Sequence, residues 1–151
     1  KINKINKINK INKINKINKI KGVKMELISL KPVFSDDRGD ITDLIDGDEI
    51  NAITHITFTK NAVRANHYHK HTIQWNYVIS GEVLLVTQMP GNEKIEKILC
   101  KGDFSVSIQN ERHAIKGVSD HAEVLVFTKG PRAGSEYEED TFRLKDDELL
   151  I

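Results

Sequence analysis

Short apolar or β-branched runs, separated by turn residues at close intervals, constrain this 151-residue chain more than any other feature. Residues 26–30, 41–45, 52–59, 74–80, 82–88, 94–100, 104–108 and 122–128 are such runs. Between them stand Ser35-Asp36-Asp37-Arg38-Gly39, Asp46-Gly47-Asp48, Ser80-Gly81, Met89-Pro90-Gly91-Asn92 and Lys101-Gly102-Asp103, all of them turn chemistry. Helical periodicity is almost absent, apart from a short helix expected near 145–150. About ten strands at this spacing predict an all-β domain, a small sandwich or barrel.

The length suits one domain with its own core and is too short for two. The net charge of +1 conceals an uneven distribution. Residues 1–18 are six copies of Lys-Ile-Asn, and the first 24 residues carry nine lysines and no acid. Removing those nine from 23 leaves 14 basic against 22 acidic residues in 25–151, a balance of −8. An acidic domain gives no electrostatic reason to bind nucleic acid. On a helix each three-residue repeat turns about 300°, so the isoleucines circle the axis and build no lasting apolar face. Residues 1–24 are therefore expected to be disordered, with Met25 opening the folded part and 25–151 forming the domain. No apolar run approaches the roughly 20 residues of a membrane-spanning helix. The single Cys100 excludes an internal disulfide and fits a reducing cytoplasm.

His67-Tyr68-His69 carries the chemistry. Side chains on a strand alternate faces, so His67, His69 and His71 share one face while Tyr68 and Lys70 take the other. With His113 arriving on a returning strand, three neutral imidazoles form a set open on one side. A divalent transition metal asks for that arrangement.

These spacings resemble the cupin family. Its motifs read G-x5-HxH-x3,4-E-x6-G and G-x5-PxG-x2-H-x3-N. Here His67, His69, Gln74 and Gly81, then Gly102 and His113, occupy the corresponding positions. Asn61 stands at the first Gly, Gln74 at the Glu, Ile108 at the Pro, Asn110 at the middle Gly and Gly117 at the last Asn. The resemblance implies a cupin-type jelly-roll barrel. It also implies a metal site (zinc, iron, manganese or nickel) at His67, His69, Gln74 and His113. The neutral amide of Gln74 would bind a cation more weakly than a carboxylate.

A second layer of resemblance points to nucleotide-sugar cupins. Phe34-Ser35-Asp36-Asp37-Arg38-Gly39-Asp40-Ile41-Thr42-Asp43 is similar to their F-x-D-x-R-G-x-x-x-E segment. Arg64-Ala65-Asn66-His67-Tyr68-His69-Lys70 is similar to the R-G-N-H-Y-H and R-G-x-H-A-H-K segments of two such groups, the dTDP-4-keto-6-deoxyhexose ketoisomerases and the cupin domain of capsule-synthesis reductases, with Ala65 where the relatives carry Gly. Tyr137-Glu138-Glu139-Asp140-Thr141-Phe142-Arg143 resembles the Y-D-x-x-D-Y-x-R ending of the ketoisomerases. The resemblance implies isomerisation or epimerisation of a nucleotide-linked keto sugar in polysaccharide biosynthesis. That chemistry needs a proton shuttle, and histidine titrates close to working pH. His67 or His69 would be the base and Tyr77 the acid, since Tyr68 should face away. Arg38 and Arg64 would hold the diphosphate, with His55 and Trp75 lining the substrate. No metal is needed for that reaction.

Three readings stay open at this point. The chain is a sugar-nucleotide isomerase, an oxygenase-type metalloenzyme, or a non-catalytic cupin that binds metal or sugar. In each the small-molecule ligand enters the barrel, and a homodimer without membrane attachment is expected.

Overall fold

A computed structural model describes residues 25–151. The Lys-Ile-Asn repeat, and with it the expectation of disorder over 1–24, lies outside the described residues. The strands are β1 (Glu26–Ile28), β2 (Phe34–Asp36), β3 (Gly39–Ile41), β4 (Ala52–Thr59), β5 (Val63–Tyr68) and β6 (Ile73–Ser80). They continue as β7 (Glu82–Gln88), β8 (Ile95–Cys100), β9 (Phe104–Ser107), β10 (Arg112–Gly117) and β11 (His121–Lys129). A short helix α1 (Gly134–Glu139), β12 (Phe142–Arg143) and a 3-10 turn at Asp146–Glu148 complete the chain.

Two five-stranded antiparallel sheets, ordered β1-β9-β6-β11-β4 and β12-β5-β10-β7-β8, face each other. The expected all-β jelly roll is therefore present, as a sandwich whose sheet edges are not hydrogen-bonded into a ring. Alternation along each strand sends one set of side chains between the layers. Phe58, Val78, Val83, Leu85, Leu99, Ile115, Val124 and Val126 meet there, all nearly inaccessible to water. Burying each such side chain contributes about 1.5–3 kcal/mol, which drives the two sheets together.

The outer faces carry their own clusters. Val86, Ala114, Leu144 and Leu150 pack behind the second sheet. Trp75, Phe104 and Val106 lie on the back of the first, covered by Leu44, Ile45, Ile50 and Ile108. This explains a difference from the sequence expectation over 41–45. Strand pairing stops at Ile41, and Leu44 and Ile45 are partly buried by packing instead. The apolar pattern was satisfied without a ladder.

The turn over 35–39 forms as expected, but it closes a separate two-stranded hairpin, β2–β3, that pairs with neither sheet. Gly81 is required at the β6–β7 turn. Its φ is +70°, and a Cβ there would collide with the carbonyl oxygen of His121. The helix expected near 145–150 is only the 3-10 turn, whereas α1 arises one segment earlier.

Candidate active site

His67 and His113 are direct partners in the antiparallel β5–β10 ladder. The ladder then skips a residue: Ala114 pairs with Ala65, leaving Asn66 as a bulge. Ala65 and Asn66 both take positive φ, +71° and +56°. The bulge is fixed from outside, because Asn66 Oδ1 accepts from the Leu150 amide at 2.9 Å and Asn66 Nδ2 donates to the Ile151 carbonyl at 3.2 Å. The strand emerges with His67 facing between the sheets, and His69 follows just beyond its end. The ring centroids of His67 lie 4.7 Å from His69 and 4.8 Å from His113, with His69 and His113 5.7 Å apart. One nitrogen from each imidazole lies within 4.8 Å of the others.

Hydrogen bonds set which nitrogen each ring presents. His69 Nδ1–H donates to the main-chain carbonyl of Asp140 at 2.8 Å, and His113 Nδ1–H donates to that of Glu111 at 3.1 Å. In a neutral imidazole the other nitrogen then carries the lone pair. Both Nε2 atoms are buried and have no protein partner among the described residues. Burial, reinforced by the neighbouring His113 and His69, pushes the His67 pKa down to about 2. Burial takes His113 to about 4 and also lowers His69. The cluster is neutral at working pH. Two buried, unpartnered lone pairs in a neutral three-nitrogen set fit a divalent transition metal.

Asp140 holds this end of the sandwich together. Its carboxylate accepts hydrogen bonds from the amides of Lys70, His71 and Thr72 at 2.9–3.0 Å and from Thr72 Oγ1 at 2.7 Å. Burial alone would raise its pKa, but these donors hold it below the usual range. The chain leaving His69 is thereby clamped to the end of α1.

Polar rows on the two inner faces meet at the same end. Ser107, Gln74 and Thr128 are consecutive cross-strand partners in the first sheet. Thr87, His113 and His67 are the matching row in the second. Ser107 Oγ, Thr128 Oγ1 and Glu111 Oε2 are buried there without partners among the described residues. Burial raises the Glu111 carboxyl to about 7, although the Thr87 hydroxyl opposes the shift.

The sequence-predicted residues divide. His67, His69 and His113 come together, and Gln74 joins the inward row. Trp75 and Tyr77 alternate with Gln74 and Asn76, so they lie on the back of the first sheet; Tyr77 packs against Phe104 with centroids 6.2 Å apart. Face parity does not carry from His67 and His69 across to Tyr77, because a chain turn and a new sheet intervene between β5 and β6. His55 points to the outer side of β4 and pairs with Glu123 at 2.7 Å. Arg38 stands on the β2–β3 hairpin, held by Asp36 at 2.6 Å. Arg64 lies over the Phe58 ring at 5.7 Å.

Tyr137, Arg132, Asp140 and Glu111 were not singled out from sequence. The Tyr137 ring lies 6.0 Å from His69, and the Arg132 guanidinium lies 5.1 Å above Tyr137. The tail pattern contained Tyr137, Asp140 and Arg143, but nothing in the spacing showed that α1 folds back onto the histidines.

A protein-family model described as Cupin matches residues 49–140. Among curated proteins, none matches in sequence. Solved structures are similar in fold. A sugar 3,4-ketoisomerase from Thermoanaerobacterium thermosaccharolyticum, in complex with TDP, is 22% identical with a TM-score of 0.65, covering 82% of this chain and 90% of its own. A TDP-quinovose 3,4-ketoisomerase from Campylobacter jejuni is 23% identical with a TM-score of 0.67, covering 86% and 98%. A capsular polysaccharide assembling protein from Staphylococcus aureus is 17% identical with a TM-score of 0.57, covering 82% of this chain and 35% of its own.

Proposed function

We propose, from the premise that this chain belongs to the cupin family, that it isomerises or epimerises a nucleotide-linked keto sugar in polysaccharide biosynthesis. The observation that carries this reading is the inward cluster of neutral imidazoles at one end of a fold shared with sugar 3,4-ketoisomerases. Isomerisation removes a proton beside the carbonyl, passes through an enediolate, and returns the proton to a neighbouring carbon. His67 is assigned as the base on position: it alone of the three rings is not fully buried, so it is the one a bound sugar can reach. Tyr137 replaces Tyr77 as the acid that protonates the carbonyl oxygen, because its ring is the tyrosine ring beside the cluster. Tyr68 is stacked on Phe142 instead. Incubation with a dTDP-4-keto-6-deoxyhexose in deuterated water tests the reading. Deuterium should enter ring carbons, and an inert sugar would overturn it.

The unpartnered Nε2 atoms favour a second reading of the same cluster. His67, His69 and His113 would hold a divalent transition metal, with Gln74 at hand in the facing row. Such an ion supplies Lewis-acid polarisation of a carbonyl when bound. In the non-catalytic form of this reading, sugar binding is the whole function. Elemental analysis of protein purified without a histidine tag separates the two, since about one ion per chain leaves no free base. A cytoplasmic homodimer completes the proposal, supported by Val33, Phe34 and Ile41, which leave an apolar, half-exposed hairpin, and by Ile53 on the exposed face of β4. Light scattering at the chromatographic peak checks the mass. No described helix is long and apolar enough to cross a membrane.

A further inference from the structure

We propose that Arg132 and Arg143 form a diphosphate subsite at the mouth of the imidazole cluster. The proposal rests on the nucleotide-sugar reading and replaces the two arginines that the sequence pattern suggested.

Arg143 stands directly opposite His67 in the β12–β5 ladder, so its side chain leaves the sheet on the face that carries the imidazole. Arg132 follows β11, donates from Nε to Thr54 Oγ1 at 3.1 Å, and lies over Tyr137, whose ring borders His69. Two cations therefore stand beside the imidazole cluster, one opposite His67 and one over the tyrosine next to His69, in a domain that carries more acid than base.

Neither guanidinium is fully committed. Arg143 pairs with Glu138 at 2.9 Å, with side chains 63% and 58% exposed. Such a surface pair is worth about 0–1 kcal/mol, so a phosphate can displace it. Among the described residues Arg132 pairs with no carboxylate. By contrast, Arg38 is held through three hydrogen bonds to its own turn aspartate. A planar guanidinium grips phosphate oxygens bidentately, and two of them match the two phosphates of a nucleoside diphosphate. The linked sugar would then lie over the histidines and Tyr137.

Calorimetric titration of the full chain with dTDP, and separately with inorganic pyrophosphate, tests the subsite. The wild type should bind both, and Arg132→Ala and Arg143→Ala should each weaken both ligands by tenfold or more. Arg143→Lys should recover part of the loss, and a wild-type melting temperature shows that each variant is folded. Wild-type affinity in both alanine variants overturns the subsite and leaves the nucleotide-sugar reading standing. Pyrophosphate binding that weakens in the variants, with no gain from the nucleoside, keeps the subsite and sinks that reading. A wild type that binds neither ligand removes both.

Discussion

The main-chain carbonyl of Asp140 accepts the Nδ1–H of His69 at 2.8 Å, while the side chain of the same Asp140 accepts three amides and a hydroxyl from residues 70–72. One residue thus fixes both the tautomer of His69 and the path of the chain that follows it. Asp140→Ala leaves three buried or part-buried amides without acceptors, each worth about 1–3 kcal/mol. We expect a loss of at least about 3 kcal/mol in urea unfolding. Thr72→Val, which removes only the hydroxyl donor, should cost about 1 kcal/mol. Equal losses in the two variants would show that the carboxylate does not act as the clamp.

Ala65 holds φ at +71°, in the left-handed region that costs a Cβ-bearing residue about 1–2 kcal/mol. Ala65→Gly should relieve that strain and raise stability by about 1 kcal/mol, measured as a higher urea midpoint at unchanged slope. Asn61→Gly and Asn110→Gly should gain little, since asparagine tolerates their φ of +64° and +65°. Asn66→Gly should lose stability despite its φ of +56°, because it forfeits two hydrogen bonds to the C-terminal residues. A destabilised Ala65→Gly would contradict the strain argument.

The same three positions show what was legible in the sequence. Asn61 and Asn110 stood where the cupin motifs carry Gly, and Ala65 where the ketoisomerase pattern does. All three occupy the positive φ that the glycines imply, so each departure preserved a backbone requirement. The histidines were legible for a related reason: strand pairing brings His67 opposite His113, and the motif encodes that register. Tyr77 and Trp75 were misread because face parity holds only along one strand. The turn at 69–72 passes the chain to the other sheet and resets it. Residues 41–45 were misread because burial against the back of Trp75 and Phe104 gives the same apolar signal as strand pairing. Arg132 and Tyr137 reach the site through the tertiary folding of α1 and the segment that leads into it, which no local pattern records.

Buried titratable groups set opposing pH dependences. His67, His69 and His113 have folded pKa values below the usual 6.5, so the unfolded chain binds more protons as pH falls. Their contribution is present above pH 6.5 and is lost as pH falls toward about 4 and below. Glu111 works the other way: its folded value of about 7 exceeds the ordinary 4.5, so its contribution is present below 4.5 and lost as pH rises through 7. Three histidines against one glutamate should make metal-free protein lose stability between pH 6.5 and 4.5. Glu111→Gln should unfold at higher urea than wild type at pH 8, with the advantage gone near pH 4.5. Parallel pH curves for the two proteins would mean that Glu111 ionises normally.

Tyr137 and Tyr77 separate the two faces of the first sheet in a catalytic assay. Tyr137 sits beside His69 under the Arg132 guanidinium, whereas Tyr77 packs on Phe104 behind the sheet. A positioned general acid contributes roughly 10²–10⁴-fold to such a reaction. We therefore expect Tyr137→Phe to lower kcat for the keto sugar by about that factor with little change in KM, and Tyr77→Phe to stay within about threefold of wild type. Deuterium exchange at the sugar carbon should be slowed in Tyr137→Phe and abolished in His67→Asn, because loss of the acid raises the barrier to the enediolate while loss of the base removes the route to it. If Tyr77→Phe is the variant that fails, the acid reaches the sugar from the other side of the sheet and the roles given to His67 and Tyr137 fall together.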